Sequence, residues 1–356
     1  MARKKKSFRF IDLFAGIGGF HIVMHENGGK CVFASEIDKF ARQTYEHNFA
    51  RISPELFEKE NFNIDITDPN LKYSEIPDFD ILCAGFPCQP FSYAGKNKGF
   101  KDETRGTLFF SILSILEAKK PKAFILENVK GLKSHDKGRT LNTIIASLEN
   151  LGYSVKWKII DSLQFGVPQK RERWYCVGFL HDCEFSFPTG DSTVVTLSNI
   201  VDMNVRDPSL TLPVQEIERI EYHFKKMNGN PRVQHDNSQY APNTKKGRHG
   251  VFSYQKPDGS LRFHIGDVAK TQIQEAFYCC LDTYAPTIIY NRVPKMWDLK
   301  RKLSVIEAQR LQGFPENFKF PVSNNQAYRQ LGNSIALPVV RAITRQLLKT
   351  LDYEDK

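Results

Sequence analysis

Long apolar stretches are missing from this chain. No run approaches the roughly 18 residues that span a bilayer, so a membrane role is not expected. The basic start, Met1-Ala-Arg-Lys-Lys-Lys-Ser7, is followed by no signal-peptide core but by Phe8-Arg-Phe-Ile-Asp12, which reads as a strand. The expected location is therefore the cytoplasm. Cysteine is sparse and badly arranged for bridges. The seven are Cys31, Cys83, Cys88, Cys176, Cys183, Cys279 and Cys280, an odd number with no C-x-x-C pair and with two side by side. A reducing compartment follows, and no zinc or other metal site is expected. Internal repeats and low-complexity tracts are also lacking.

At 356 residues, with 41% hydrophobic and 25% charged residues, the chain is an ordinary globular protein of one large or two smaller domains. Its charge is less ordinary. A formal +10 suggests a polyanionic partner. The excess is concentrated: between Lys225 and Arg262 stand eight basic side chains (Lys225, Lys226, Arg232, Lys245, Lys246, Arg248, Lys256, Arg262) against Asp236 and Asp258 alone. A second run, Arg292, Lys295, Lys300, Arg301 and Lys302, is opposed by Asp298. Taken alone, either run is equally well a solvated face.

The first half alternates strand-like and helix-like segments: a strand at Phe8–Leu13, a glycine-rich turn, a helix to about Glu26, a strand at Cys31–Glu36 and a helix at Lys39–Asn48. Further strands are read at Asp80–Ala84 and Ala123–Glu127, around a helix near Thr107–Ala118 whose Phe109, Ile112, Leu113 and Leu116 recur at the spacing of a buried face. Val155–Ile160 and Trp174–Phe179 look like the last strands. Such alternation implies an α/β fold built on a parallel sheet covered by helices on both sides. After about Phe187 periodicity weakens and Asn, Gly, Pro and Lys become frequent. Helical patterning returns at Ser304–Leu311 and Ile335–Leu351.

Three elements point to an adenosine-containing ligand. The turn Phe14-Ala-Gly16-Ile-Gly18 lets backbone N–H groups approach a ligand closely. Glu36 ends the second strand, where a carboxylate can take both ribose hydroxyls. Asn63-Ile-Asp65-Ile66 follows the next loop, placed to read an adenine amino edge. These elements do not choose between a nicotinamide dinucleotide and S-adenosylmethionine. Chemistry is signalled further along. Gly85-Phe-Pro87-Cys88-Gln89-Pro90 leaves the fourth strand directly, and its prolines and glycine build a shaped loop rather than a core. Cys83, inside the strand, reads as plain core. Glu127 emerges from an apolar strand, where a carboxylate is costly unless protonated, paired or used. Arg171 and Arg173 enter the last strand at alternate positions and so share a face; a salt-bridge cluster is the plain alternative.

Taken in order, these pieces resemble the DNA (cytosine-5) methyltransferases, in the compact form found in bacterial restriction–modification systems. The matching segments are Asp12-Leu-Phe-Ala-Gly-Ile-Gly-Gly-Phe20, Gly85-Phe-Pro-Cys-Gln-Pro-Phe-Ser92, Glu127-Asn-Val129, Gln169-Lys-Arg-Glu-Arg173, Arg310-Leu-Gln-Gly-Phe-Pro315 and Gly332-Asn-Ser-Ile335. The resemblance implies a Rossmann-like S-adenosylmethionine-dependent sheet with a smaller, irregular target-recognition domain. Residues 1–186, completed by 325–356, would form the catalytic and cofactor-binding domain, 187–300 the recognition domain and 301–324 a connecting segment. It implies Cys88 as the nucleophile on C6 of a flipped-out cytosine, Glu127 as proton donor gripping N3 and the amino group, Arg173 at O2, and Arg171 supporting Glu127. Phe14, Gly16, Gly18, Glu36, Ile37, Asp65, Ile66, Pro87, Asn333 and Ile335 would hold the cofactor, leaving S-adenosyl-L-homocysteine as product.

Ile37 stands where many relatives carry an adenine-stacking tryptophan, which suggests weaker cofactor binding. Ser92–Arg105 resembles a loop that closes over the base, with Gln89, Ser92 and Arg105 at the DNA. Thr287, in Tyr284-Ala-Pro-Thr-Ile288, would also face DNA, and His235, Asn237, Gln239, Tyr240 and Arg248 are candidates for base edges. The implied partner is double-stranded DNA, acted on by a monomer in the cytoplasm and nucleoid, with a restriction endonuclease as genetic companion. Three alternatives remain: a tRNA cytosine-5 methyltransferase of the same family, a nicotinamide oxidoreductase, and a non-catalytic DNA-binding module.

Overall fold

The computed structural model describes residues 7–87, 108–191, 195–218, 249–255, 261–267, 278–290 and 292–353, with backbone alone considered for 249–255, 261–267 and 278. Its centre is a seven-stranded sheet in the order β3-β2-β1-β4-β5-β7-β6. The strands are β1 (Phe8–Leu13), β2 (Gly29–Ser35), β3 (Phe62–Asn63), β4 (Ile81–Gly85), β5 (Ala123–Val129), β6 (Ser154–Asp161) and β7 (Glu172–Phe179). Apolar residues at alternate positions face opposite sides. Phe10, Cys31, Ala34, Ile81, Cys83, Ile125 and Val177 meet the helices α1 (Gly19–Glu26) and α2 (Lys39–Phe49) and the C-terminal helix Leu337–Thr350. Ile11, Leu13, Phe33, Leu82, Ala84, Phe124, Leu126 and Trp174 meet α4 (Leu108–Lys119) and α5 (Arg139–Asn150) on the other side. Between α2 and β3 lies the short helix α3 (Pro54–Glu58). Full burial of each large side chain contributes about 1.5–3 kcal/mol, so two cores of this extent hold the sheet from both faces.

The α/β fold class is as read from the pattern of segments; the expectation of a parallel sheet needs one correction. Strands β1 to β5 run parallel, but β7 is antiparallel to both β5 and β6. Only the turn Ser162–Phe165, Gly166 at φ +78° and a few more residues join β6 to β7. That is too short for the dozen or more residues a parallel crossover needs, so the pair closes as a hairpin. From β1 the order runs outward through β2 and β3 on one side and β4 and β5 on the other, which makes the β1/β4 junction a topological switch point. Loops leaving the carboxyl ends of these two strands therefore border one crevice, the usual ligand site of such sheets.

After the big sheet come small elements. A two-stranded hairpin, β8 (His249–Gln255) with β9 (Leu261–Asp267), and a three-stranded sheet of β10 (Tyr278–Cys279), β11 (Lys295–Met296) and β12 (Arg301–Lys302) lie apart from the main sheet. A separate core of Leu197, Cys279, Ala285, Met296, Leu303 and Leu311 supports the three-stranded sheet. Helix α6 (Val305–Leu311) opens with a capping box between Ser304 and Glu307. Glu307 is fully buried and takes both guanidinium nitrogens of Arg301 at 2.7 Å, and the Asp202 N–H as well. Helices α7 (Asn324–Asn333) and α8 (Leu337–Thr350) return to the core of the main sheet, where α8 lies along α1. Among the described residues no helix is long and apolar enough to cross a membrane.

Candidate active site

The glycine-rich turn is built by backbone geometry that glycine permits. Phe14, Gly16 and Gly18 all have positive φ, at +53°, +55° and +83°. A Cβ on Gly18 would lie 2.1 Å from the Phe49 ring, and on Gly19 2.6 Å from Ile335, so α1 starts tight against α2 and the returning 335 segment. Over Gly16, by contrast, a Cβ would meet nothing within 4 Å. The turn is thus packed underneath and open above.

Glu36 faces that opening. Its carboxylate accepts the Gly16 N–H at 2.7 Å through one oxygen and the Asp38 N–H at 2.8 Å through the other. Burial raises its pKa, and those two backbone N–H groups pull it back. A carboxylate facing this opening suits ribose hydroxyls. Ile37 is 69% exposed and Ile64 is 60% exposed, at the ends of the paired strands β2 and β3. Large apolar side chains left bare at neighbouring strand ends suit a flat heterocycle. The Asp65 carboxylate accepts from the Thr67 N–H and hydroxyl through one oxygen, while Ile66 is a core residue at 3% exposure. The residues present therefore fit the adenosine part of S-adenosylmethionine. Ile335 is buried against Gly19, and Asn333 is exposed at the end of α7.

Beside this lies a charged cluster. Ile125 and Val177 point toward the face covered by α1 and α8, so two residues farther on Glu127 and Tyr175 emerge on the same face, and Arg173 beyond them. Glu127 is directly opposite Gly85 at the end of β4, and a Cβ there would be 3.7 Å from its Oε2. Arg173 Nε lies 3.3 Å from Glu127 Oε1. Burial pushes the Glu127 carboxyl above the usual range, against the opposing pull of Arg173 and Arg171. A carboxyl so placed holds a proton more readily than one in water.

Arg171 departs from its expected contact. Its Nη1 donates to the Ile288 carbonyl at 3.0 Å, and its Nη2 to the carbonyls of Gly332, at 3.2 Å, and Ser334. It acts on Glu127 only through its charge. Burial and the neighbouring Arg173 charge bring its pKa down to about 9. In effect Arg171 ties the last strand to two segments that arrive from more than 100 residues away.

Two amides missed as individual residues complete the frame. Asn128 Nδ2 donates to the Phe86 carbonyl at 2.9 Å and so fixes the chain two residues before Cys88. Gln169 accepts the Ile288 N–H at 2.9 Å and donates to the Leu311 carbonyl and to Gln312 Oε1, both at 3.1 Å. Their burial beside charged neighbours was the available signal: amides are left inside a fold only when hydrogen-bonded. The Thr287 hydroxyl donates to the Lys170 carbonyl at 2.6 Å. Pro87 is exposed. Cys88, Gln89, Ser92, Arg105, the rest of that loop, and His235, Asn237, Gln239, Tyr240 and Arg248 lie outside the described residues. Among the described residues no group of His, Cys, Asp or Glu is arranged to hold a metal.

The chain matches known proteins in sequence and in fold. The family model of the C-5 cytosine-specific DNA methylases matches residues 8–349. The chain is 41% identical to the Type II methyltransferase M.NlaX of Neisseria lactamica over 347 residues, covering 97% of both chains. It is 40% identical to the Type II methyltransferase M.HpaII of Haemophilus parainfluenzae over 353 residues, 98% of this chain and 91% of that protein. Among solved structures, the Dnmt2 methyltransferase of S. pombe superposes with a TM-score of 0.65 at 18% identity, over 98% of this chain and 100% of the other. The methyltransferase EhMeth of Entamoeba histolytica gives 0.64 at 18% identity, over 98% and 100%.

Proposed function

Because the chain belongs to the C-5 cytosine-specific DNA methylase family and is a DNA (cytosine-5) methyltransferase, we propose that it works through Cys88, Glu127 and Arg173 on a cytosine extruded into the crevice between β1 and β4. The observation that carries this reading is the position of Glu127, opposite Gly85, with Arg173 at 3.3 Å and the glycine-rich turn of β1 next door. Cys88 is three residues past Gly85, hence within about 11 Å of it along any chain path. The Asn128 bond to Phe86 starts that path at β5.

Cytosine C5 is too electron-poor to take up a methyl group unaided. Addition of the Cys88 thiolate to C6 turns C5 into an enamine carbon, while the Glu127 carboxyl delivers a proton to N3 as charge builds there. An ordinary thiol has a pKa near 8.5, so a thiolate-favouring environment is required at Cys88. Arg173 holds the carbonyl oxygen of the base and keeps Glu127 oriented. After C5 is methylated its proton leaves to a base, Cys88 is expelled as thiolate and N3 returns its proton to the Glu127 carboxylate, restoring the aromatic ring and the acid. S-adenosylmethionine supplies the electrophilic methyl group. Gly16, Gly18 and Glu36 hold its ribose side, with Phe14, Ile37, Asp65, Ile66, Pro87, Asn333 and Ile335 around it. Base extrusion costs a few kcal/mol, offset by contacts from the recognition segment.

The remaining assignments follow from this reading. Residues 1–186 with 325–356 form the catalytic domain, 187–300 the recognition domain and 301–324 the connection. Gln89, Ser92, Arg105 and Thr287 face DNA. The protein acts as a monomer on nucleoid DNA in the cytoplasm. The relatives' names, Type II methyltransferase, support the further reading that it protects this DNA beside a restriction endonuclease. Duplex DNA carrying 5-fluorocytosine at the target base tests the chemistry, because fluorine cannot leave C5 as a proton does. A covalent complex stable to denaturation is expected, and absent for Cys88→Ser. No adduct from folded, cofactor-loaded protein would defeat the mechanism, and methyl transfer to tRNA but not duplex DNA would favour the tRNA alternative.

A further inference from the structure

We propose that Arg42 is a positioning residue for the adenosine end of the cofactor site, setting the spacing between Glu36 and the segment 63–66. Its guanidinium is the junction of two strand ends. Nη1 donates to the carbonyls of Asn63 at 2.6 Å and Glu36 at 3.3 Å, and Nη2 to the carbonyl of Phe62 at 3.0 Å. The same group lies over the Phe62 ring, 4.0 Å from its centroid.

The need for such a junction comes from the sheet itself. β3 contributes two residues, paired only as Ala34 with Phe62 and Ser35 with Asn63. Besides its ladder it is held by the Glu36 N–H to the Asn63 carbonyl at 3.2 Å and the Ser35 hydroxyl to Asn63 Oδ1 at 3.0 Å. It is also an edge strand, so its outward carbonyls have no neighbouring strand to satisfy them. Without Arg42 the backbone that carries Asp65 would rest on very few bonds.

The helix that presents Arg42 is itself set by the site. Asp38 caps α2 by accepting the N–H groups of Phe40 and Ala41, while its own N–H goes to Glu36 Oε1. The Arg42 N–H then closes on the Asp38 carbonyl at 2.9 Å. One turn into the helix, the side chain reaches back over the strand ends. A planar fork can serve three carbonyls at once, whereas a lysine ammonium is a single point.

This inference rests on the placement of the cofactor proposed above, so the experiment separates the two. Binding of S-adenosylhomocysteine to the full-length protein is measured by calorimetry for the parent, Glu36→Ala, Arg42→Met and Arg42→Lys, together with KM, kcat and duplex affinity. Arg42→Met keeps the stem over Phe62 but removes the donors. It should weaken S-adenosylhomocysteine about tenfold, the scale expected for losing charged hydrogen bonds. Arg42→Lys should weaken it nearly as much, and KM for S-adenosylmethionine should rise in step. kcat at saturating cofactor and duplex affinity should change less than about twofold, a split that general unfolding cannot produce. If Arg42→Met fails to fold, Arg42→Lys carries the test. Parent-like affinity in Arg42→Lys, or loss of DNA binding and kcat alongside cofactor binding, overturns the role of Arg42. Parent-like affinity in Glu36→Ala overturns the placement of the cofactor instead.

Discussion

In the proposed mechanism Glu127 must be buried to meet a base and protonated to help it, and the first favours the second. Burial raises the carboxyl pKa more than Arg173 and Arg171 lower it. The sign for catalysis follows. The competent form is the acid, so the rate of a single turnover should fall as pH rises through that elevated pKa, while ionisation of Cys88 makes it climb on the acid side. Glu127→Gln keeps the shape and cannot donate the same proton. A loss of roughly 10²–10⁴ in the chemical step is expected, along with loss of the alkaline fall, as read by rapid-quench kinetics across pH. A variant that retains the alkaline fall would assign that limb elsewhere. Glu127 was legible in the sequence because an acid inside Phe-Ile-Leu-Glu is anomalous wherever it folds. Arg171 was legible only as to face. Alternation in β7 aligned it with Arg173, but the carbonyls it serves, Ile288, Gly332 and Ser334, come from segments that no local pattern connects to it.

Helix α7 shows the same gap between pattern and tertiary demand. Its sequence, Asn-Asn-Gln-Ala-Tyr-Arg-Gln-Leu-Gly-Asn, buries Ala327, Gln330, Leu331 and Gly332 and has no apolar stripe to announce it. Segments with strong periodicity, such as Leu108–Lys119, were found within a residue of their ends. What α7 requires is closeness. A Cβ on Gly332 would lie 2.4 Å from the carbonyl carbon of Ile289 and 2.6 Å from the Tyr290 nitrogen, both backbone atoms with little freedom to move. Gly332→Ala should therefore push α7 off the 287–290 segment and stretch the Arg171 bonds that span it. Overpacking of this kind costs about 1–3 kcal/mol, visible as a lower Tm. A Tm equal to the parent's would mean the contact yields more easily than its geometry implies. The antiparallel β7 escaped the strand pattern for a related reason. Direction is set by the length of the connection, and the short link from Asp161 to Glu172 leaves no periodic mark.

Charge is a property of the entire chain, and here it is unevenly spread. The +10 excess attracts DNA of any sequence, and the run from Lys225 to Arg262 concentrates that attraction in the stretch assigned to recognition. Its basic character could be read directly, since composition needs no fold. Which side chains read bases could not, because base contacts depend on groove geometry that one sequence does not encode. Phosphate contacts can be counted without that knowledge. Each one releases condensed counterions, so the logarithm of the binding constant falls with the logarithm of salt concentration by about 0.9 per contact. Replacing Lys245 and Lys246 together by Gln should flatten that slope by about 1.8 if both sit on phosphates, and weaken every duplex alike. The choice of methylated sequence should not change, since phosphates carry no base identity. Fluorescence anisotropy on target and non-target duplexes across a salt series gives both quantities. An unchanged slope would remove this pair from the DNA face, and a slope that flattens only on the target duplex would make the two lysines readers of sequence rather than of charge.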